Sequence, residues 1–297
     1  MSGLISKAIE KGPAGIARAL GAAVTRPVHL LRVRRETEYR DPDEAELARI
    51  EKDMLAVGIR CADYLPDHTA FAAFKAQMAF PPDYHGGIGG GVLEEKLLEH
   101  FAAWDLLELE RTPARWPYVD VAGASSPWAR ILREQGCKAY SIDLDPHPSF
   151  ASLDYYLRAD ATATPFDAAS IGSASLQCAF EMFTGDADTR LVVELSRILK
   201  PGGRVVISPL YTHTHPCYYQ SPEYHGRPFG DTDATRYVRR HARGVPASRK
   251  YSARTLRERV WDPALRAGLS PGMAVLRNKP SFGPGIYLHF ILILDKP

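Results

Sequence analysis

Cysteine is scarce in this chain. There are four in 297 residues, Cys61, Cys137, Cys178 and Cys217, and none forms a Cys-x-x-Cys pair. That scatter argues against a disulfide framework or a cysteine-rich zinc site, and it fits a reducing compartment. An excess of one charge is missing too: 37 Lys and Arg against 35 Asp and Glu leave a net charge of +2. The chain as a whole therefore carries no nucleic-acid or membrane signal. No apolar run approaches the ~20 residues that span a bilayer. Internal repeats are absent, and so is the Gly-x-Gly-x-x-Gly spacing of a dinucleotide site. What remains is a hydrophobic share of 45% with 24% charged residues, enough for a real core. The length suits one large domain with additions.

The most informative stretch is Tyr118-Val119-Asp120-Val121-Ala122-Gly123-Ala124-Ser125-Ser126, followed by Ser141-Ile142-Asp143-Leu144-Asp145. Each is a short run, largely apolar, that reaches an acid, and the first continues into a loop of very small side chains. The pattern predicts a buried strand, a tight loop, a helix and a second strand. In such a unit the loop lets backbone approach a nucleoside, and the strand-end acid grips the ribose hydroxyls. Pro127 and Trp128 follow the loop and would crowd a pyrophosphate, so a ligand without phosphate fits better.

At this point the chain resembles the class I S-adenosylmethionine-dependent methyltransferases. Asp120 matches the acid that ends their first strand, and Asp143 the ribose-binding acid that ends their second. Downstream, Ala159-Asp160-Ala161-Thr162 is similar to the segment whose Asp and following residue reach the adenine. Ser175 to Phe183 resembles the fourth strand and its loop. Leu191 to Lys200 with Pro201-Gly202-Gly203 and the apolar run to Ser208 resembles the helix, turn and fifth strand. The resemblance implies a Rossmann-like doubly wound α/β fold, with a mostly parallel sheet and an antiparallel last strand. It also implies an enzyme with S-adenosyl-L-methionine as cofactor, held by Asp120, Ala122, Gly123, Ala124, Asp143, Leu144, Asp160 and Ala161. Three positions usually filled by glycine read Ala122, Ala124 and Ser126. Alanine and serine enter φ > 0 only at a cost, so the loop is expected to be shaped differently, and cofactor affinity is where this departure falls.

Before that unit, residues 1–83 read as a helical extension. Asp41-Pro42-Asp43-Glu44 opens a helix expected to run to Gly58, with Asp41 as its cap, and further helices are expected at 66–79 and 92–109. Between the last two lies Pro81 to Gly91, rich in glycine. In the family this segment often covers the methionine end of the cofactor, which makes Tyr84 a candidate lid residue over a sulfonium. Residues 1–35 carry seven bases against Glu10 alone. With Leu4, Ile5, Ile9, Ile16 and Leu20 they form either a basic amphipathic helix touching a membrane surface or a helix packed on the domain.

Acceptor contacts are expected beyond the strand ends, above all from 209–250, a long insertion read as irregular. From Glu223 to Val260 there are ten bases and four acids, which suits an anionic acceptor such as a phosphate-linked sugar, or else a solvated arginine-rich face. Removing a hydroxyl proton needs a base. His213 and His215 are the first candidates and Glu181 the next. The two histidines with Asp231 and Asp233 form a weak metal pattern, and no metal is expected. Phe180-Glu181-Met182-Phe183 lacks the Asn/Asp-Pro-Pro-Tyr pattern of methylation at nucleic-acid amino groups. The expectation is therefore O-methylation of a small or saccharide-type acceptor by a cytoplasmic enzyme. No specific nucleic acid is expected as partner, and residues 1–35 can provide peripheral membrane contact. The alternative is a non-catalytic scaffold of the same fold docking at a membrane.

Overall fold

A computed structural model describes residues 24–87, 91–112 and 115–297. The apolar positions expected in a helix over 1–20 and the glycines at 89 and 90 lie outside the described residues. Eight strands form the central sheet: β1 (Cys61–Tyr64), β2 (Tyr118–Val121), β3 (Ala139–Asp143), β4 (Tyr156–Arg158), β5 (Ile171–Gln177), β6 (Leu199–Ser208), β10 (Ser270–Leu276) and β11 (Phe290–Asp295). Their order is β1-β10-β11-β6-β5-β2-β3-β4. The ladders from β6 through β5, β2 and β3 to β4 are parallel. The last strand, β11, runs antiparallel between β6 and β10.

Parallel strands covered on both faces read as continuous apolar runs, and β2 is buried at all four positions. On one face Ile50, Met54, Leu191, Leu195 and Val260 pack over Val119 and Val205. On the other, Phe74, Leu98, Phe101 and Trp128 pack over Tyr118 and Val206. From β2 the chain runs outward through β3 and β4, then returns to the opposite side for β5 and β6. The reversal opens a crevice at the C-terminal ends of β2 and β5, the usual ligand position in such sheets.

The N-terminal extension has its helices, Glu44–Ala56 and His68–Gln77. It also donates β1, which pairs in parallel with β10 at the sheet edge. The first of these helices is capped by Asp43 rather than Asp41, because Asp43 and Glu46 form a reciprocal capping box. A preceding helical segment, 24–32, is pinned by Arg26, which donates to the carbonyls of Arg240 and Ala242. No helix among the described residues is long and apolar enough to cross a membrane.

The insertion at 209–250 is not irregular. It forms a second sheet of β7 (Cys217–Gln220), β8 (Thr235–Val238) and β9 (Ser248–Lys250), in the order β8-β7-β9. A bridge from Glu38 to Val238 ties the extension to it, and one from Thr212 to Tyr251 closes its base.

Candidate functional site

The crevice is built by the loop after β2. Ala122 and Ala124 sit at φ 58° and 43°, the left-handed region that the sequence reading had reserved for glycine. The loop thus keeps the turn that a small-residue nucleoside loop needs. Gly123 is required between them: a Cβ there would stand 2.6 Å from Asp120 Oδ2 and would collide with Ser141 Oγ. Asp120 is 1% exposed. Burial pushes its carboxyl up to about 7, with Ser126 opposing and the Asp143 charge adding to the rise. Its Oδ2 has no hydrogen-bond partner among the described residues.

Asp143 ends β3 half-buried at the mouth of the crevice. It accepts from the amides of Ala124 (3.1 Å) and Asp145 (2.8 Å), which ties the loop after β2 to the end of β3. Leu144 beside it is 69% exposed. Farther along the rim Asp160 accepts from the Thr162 amide and hydroxyl, both at 2.8 Å, and the amide bond holds its carboxyl below the ordinary value. Ala161 is buried behind it. These features fit a nucleoside with a flat base and a ribose: an orphaned buried carboxylate oxygen, a turned backbone and a strand-end acid. Trp128 does not crowd the crevice as expected. It is fully buried, stacked on Phe80 at 5.7 Å and 6°. Tyr84 lies in the turn Tyr84–Gly86, its ring 5.0 Å from Phe80 and its hydroxyl 2.8 Å from Nε2 of buried His100. Burial first, and then the charge of Asp120, raise its phenol.

Beside the crevice, Cys178 follows the end of β5, itself at φ 50°. Lys96 Nζ donates to Cys178 Sγ (2.7 Å) and to Glu99 (2.8 and 3.1 Å). The Tyr211 and Tyr287 hydroxyls lie 3.1 and 3.6 Å from the same sulfur. Both tyrosines line a cavity of about 390 Å³ whose walls include Tyr39, Tyr219, Arg239 and Lys250. Lys250 is 2% exposed, and its Nζ stands 3.5 Å from the Tyr211 ring centre. Its hydrogen bond goes to Ser248 Oγ at 3.1 Å, and no carboxylate of the described residues forms an ion pair with it. Burial lowers its ammonium to about 8, with Glu181 as the largest opposing charge.

Glu181 occupies the turn Phe180–Met182 that follows β5 and is buried. Burial raises its carboxyl, Lys250 opposes this, and its Oε2 has no hydrogen-bond partner among the described residues. His213 and His215 stand elsewhere. Their rings are 4.4 Å apart, and His213 is 6.1 Å from Tyr39, but neither lines the cavity. Burial lowers both imidazoles. Asp231 is not near them as a ligand would be; it takes a bidentate pair from Arg249.

Much of the arginine excess is likewise used inside the protein. Arg249 and Arg259 both grip the fully buried Asp188, Arg240 pairs with Glu38, and Arg239 pairs with Asp41 at the cavity wall. The sequence reading missed the Lys96–Glu99–Cys178 cluster. The available signal was Glu95, Lys96, Glu99 and His100 lying among Leu97, Leu98 and Phe101, which puts charge on the buried face of the helix Leu93–Leu106.

Residues 119–207 match the family model described as "Methyltransferase domain". Compared with curated proteins by sequence, the chain matches none. Among solved structures it is similar to the Burkholderia thailandensis 1,6-didemethyltoxoflavin-N1-methyltransferase with bound 1,6-didemethyltoxoflavin and S-adenosylhomocysteine. That match has 19% identity over 80% of this chain and 94% of the other, with a TM-score of 0.46. An S-adenosylmethionine-dependent methyltransferase from Mesorhizobium loti matches at 20% identity over 65% and 96%, with a TM-score of 0.43. A geranyl diphosphate methyltransferase in complex with GPP and sinefungin matches at 14% identity over 91% and 100%, with a TM-score of 0.41.

Proposed function

We propose that this chain is a class I S-adenosylmethionine-dependent methyltransferase with S-adenosylmethionine as its cofactor, and that its acceptor is a small or saccharide-type hydroxyl compound carrying an anionic group. The observation that carries this reading is Lys250, a buried ammonium facing a tyrosine-lined cavity: no carboxylate among the described residues forms an ion pair with it, and Glu181 is its main opposing charge. A buried charge of this kind costs several kcal/mol unless compensated, and a phosphate or carboxylate on the acceptor compensates it. Tyrosine faces suit the apolar faces of a sugar ring.

When bound, the cofactor supplies a methyl group on a sulfonium. In our reading Asp143 holds the ribose, Asp160 and Ala161 flank the base, and Tyr84 closes over the methionine end. The chain positions the acceptor, which provides much of the rate in a displacement of this kind. Glu181 is our choice of base: of the three sequence candidates it lies on the turn following β5, and its charge acts on Lys250 of the cavity wall. Its role would be to accept the proton of the acceptor hydroxyl. Its raised carboxyl makes it a better proton acceptor than an exposed glutamate.

The test is a panel of hexose phosphates, uronic acids and neutral hexoses with wild type and Lys250→Met. KM for the anionic compounds is expected to rise 10–100-fold or more in the variant, with S-adenosylhomocysteine affinity unchanged. Neutral sugars turned over as well as charged ones by the wild type would remove the anionic acceptor.

A further inference from the structure

We propose that His213, His215 and Cys217 form a binding site for a transition-metal ion of the zinc class. The three residues stand at alternate positions on the short stretch that bends at Thr214 and His215 before Cys217 opens β7, and the bend gathers their side chains. One ligand atom from each, an imidazole nitrogen or the Cys217 sulfur, lies within 4.8 Å of the other two. A tetrahedral zinc site with nitrogen at about 2.0 Å and sulfur at about 2.3 Å separates its ligand atoms by roughly 3.3–3.8 Å. The cluster therefore needs to close by about 1 Å, which rotation about the side-chain bonds provides.

The donor set selects the ion. Two imidazoles and a thiolate suit zinc, cobalt or copper and not the oxygen-seeking calcium or magnesium. Three protein ligands leave a fourth position for water or an outside ligand. Neighbouring groups already orient the rings: Tyr237 OH is 2.9 Å from Nε2 of His215, and the Thr214 hydroxyl lies 3.2 and 3.3 Å from the two Nδ1 atoms. Outer-shell partners of this sort tune metal affinity. Each ligating nitrogen exchanges its present hydrogen bond for the ion, and the Cys217 thiol releases a proton to solvent on binding. Asp231 and Asp233, the partners suggested by sequence spacing, are replaced in this role by Cys217, because Asp231 is held by Arg249. The site is independent of the acceptor reading, although Tyr211 and Tyr219, on either side of the ligands in sequence, both line the cavity.

The experiment uses the full chain without a histidine tag, stripped by a chelator and titrated first with cobalt(II) and then with zinc(II). The expected result is one cobalt per chain, with the absorption of a tetrahedral site and a thiolate-to-cobalt charge-transfer band that zinc displaces. Cys217→Ser is expected to lose that band, and His215→Ala to weaken binding by more than about tenfold. Zinc is expected to raise the unfolding temperature of the wild type but of neither variant. Cys178→Ser, which keeps all three ligands, retains the band and covers the case in which Cys217→Ser fails to fold. A wild type with no stoichiometric cobalt site, or a band that survives in Cys217→Ser or vanishes in Cys178→Ser, would overturn the proposal.

Discussion

Two alanines in the left-handed region are the least expected residues of the crevice. An L-residue there costs roughly 1–2 kcal/mol, so Ala122 and Ala124, at φ 58° and 43°, are strained. Replacing either with glycine normally destabilises a protein; here Ala122→Gly and Ala124→Gly are expected to hold or raise the thermal midpoint, which calorimetry reads directly. Gly123→Ala is expected to abolish cofactor binding, because its Cβ collides with Asp120 and Ser141. Asp120 adds a pH signature. Its carboxyl is near 7 in the fold against 3.8 in the unfolded chain, so between those values the folded state holds the extra proton. Stability therefore falls as pH rises from about 4 to 7, by up to ~1.4 kcal/mol per unit. Asp120→Asn is expected to flatten that slope in urea titrations across the same range. Glu181→Gln belongs at this scale too: turnover is expected to drop about 10²–10⁴-fold with cofactor affinity intact. Asp120 and Asp143 were legible in the sequence because a buried parallel strand reads as an apolar run and its terminal acid stands out. The positive φ of the alanines was not, since small size alone does not report backbone conformation.

The second sheet depends on one buried carboxylate. Asp188 on the helix Ala187–Ile198 receives Arg249 from β9, Arg259 from the C-terminal helical segment and the Tyr251 hydroxyl at 2.7 Å. Removing it leaves Arg249 with Asp231 alone and Arg259 without its closest carboxylate, and loss of one partner of a buried pair costs about 3–5 kcal/mol. Asp188→Ala is expected to lower stability by that amount in denaturant titrations; an effect below ~1 kcal/mol would show that the network carries little. The parallel core was readable from the runs ending at Val121, Asp143 and Ser208, whereas the antiparallel last strand was implied only by the family resemblance. The sheet of β7, β8 and β9 was not, because its strands are three or four residues long, rich in Tyr and Arg, and show no clean alternation. β1 escaped for the same reason: Cys61-Ala62-Asp63-Tyr64 is too short and polar to announce a strand, and only β10 makes it one.

At the scale of the whole molecule the cavity explains why the acceptor is harder to read than the cofactor. Tyr39, Tyr211, Tyr219, Arg239, Lys250 and Tyr287 come from the extension, the insertion and the approach to the last strand. No short motif records such a meeting, whereas the cofactor loop is contiguous. Peripheral membrane contact is our proposal for residues 1–35: Val24, Val28 and Leu31 are 77%, 67% and 61% exposed on the segment 24–32, whose Arg26 is bonded to the insertion. Deleting 1–35 is expected to abolish sedimentation with anionic vesicles, and unchanged sedimentation would exclude that segment. The central claim is that Asp120 to Ala124 and Asp143 hold S-adenosylmethionine. Calorimetric titration of the wild type and Asp143→Ala with S-adenosylmethionine and S-adenosylhomocysteine tests it most directly. The account predicts micromolar binding that the substitution abolishes; no binding by folded wild type, or equal binding by Asp143→Ala, would contradict it.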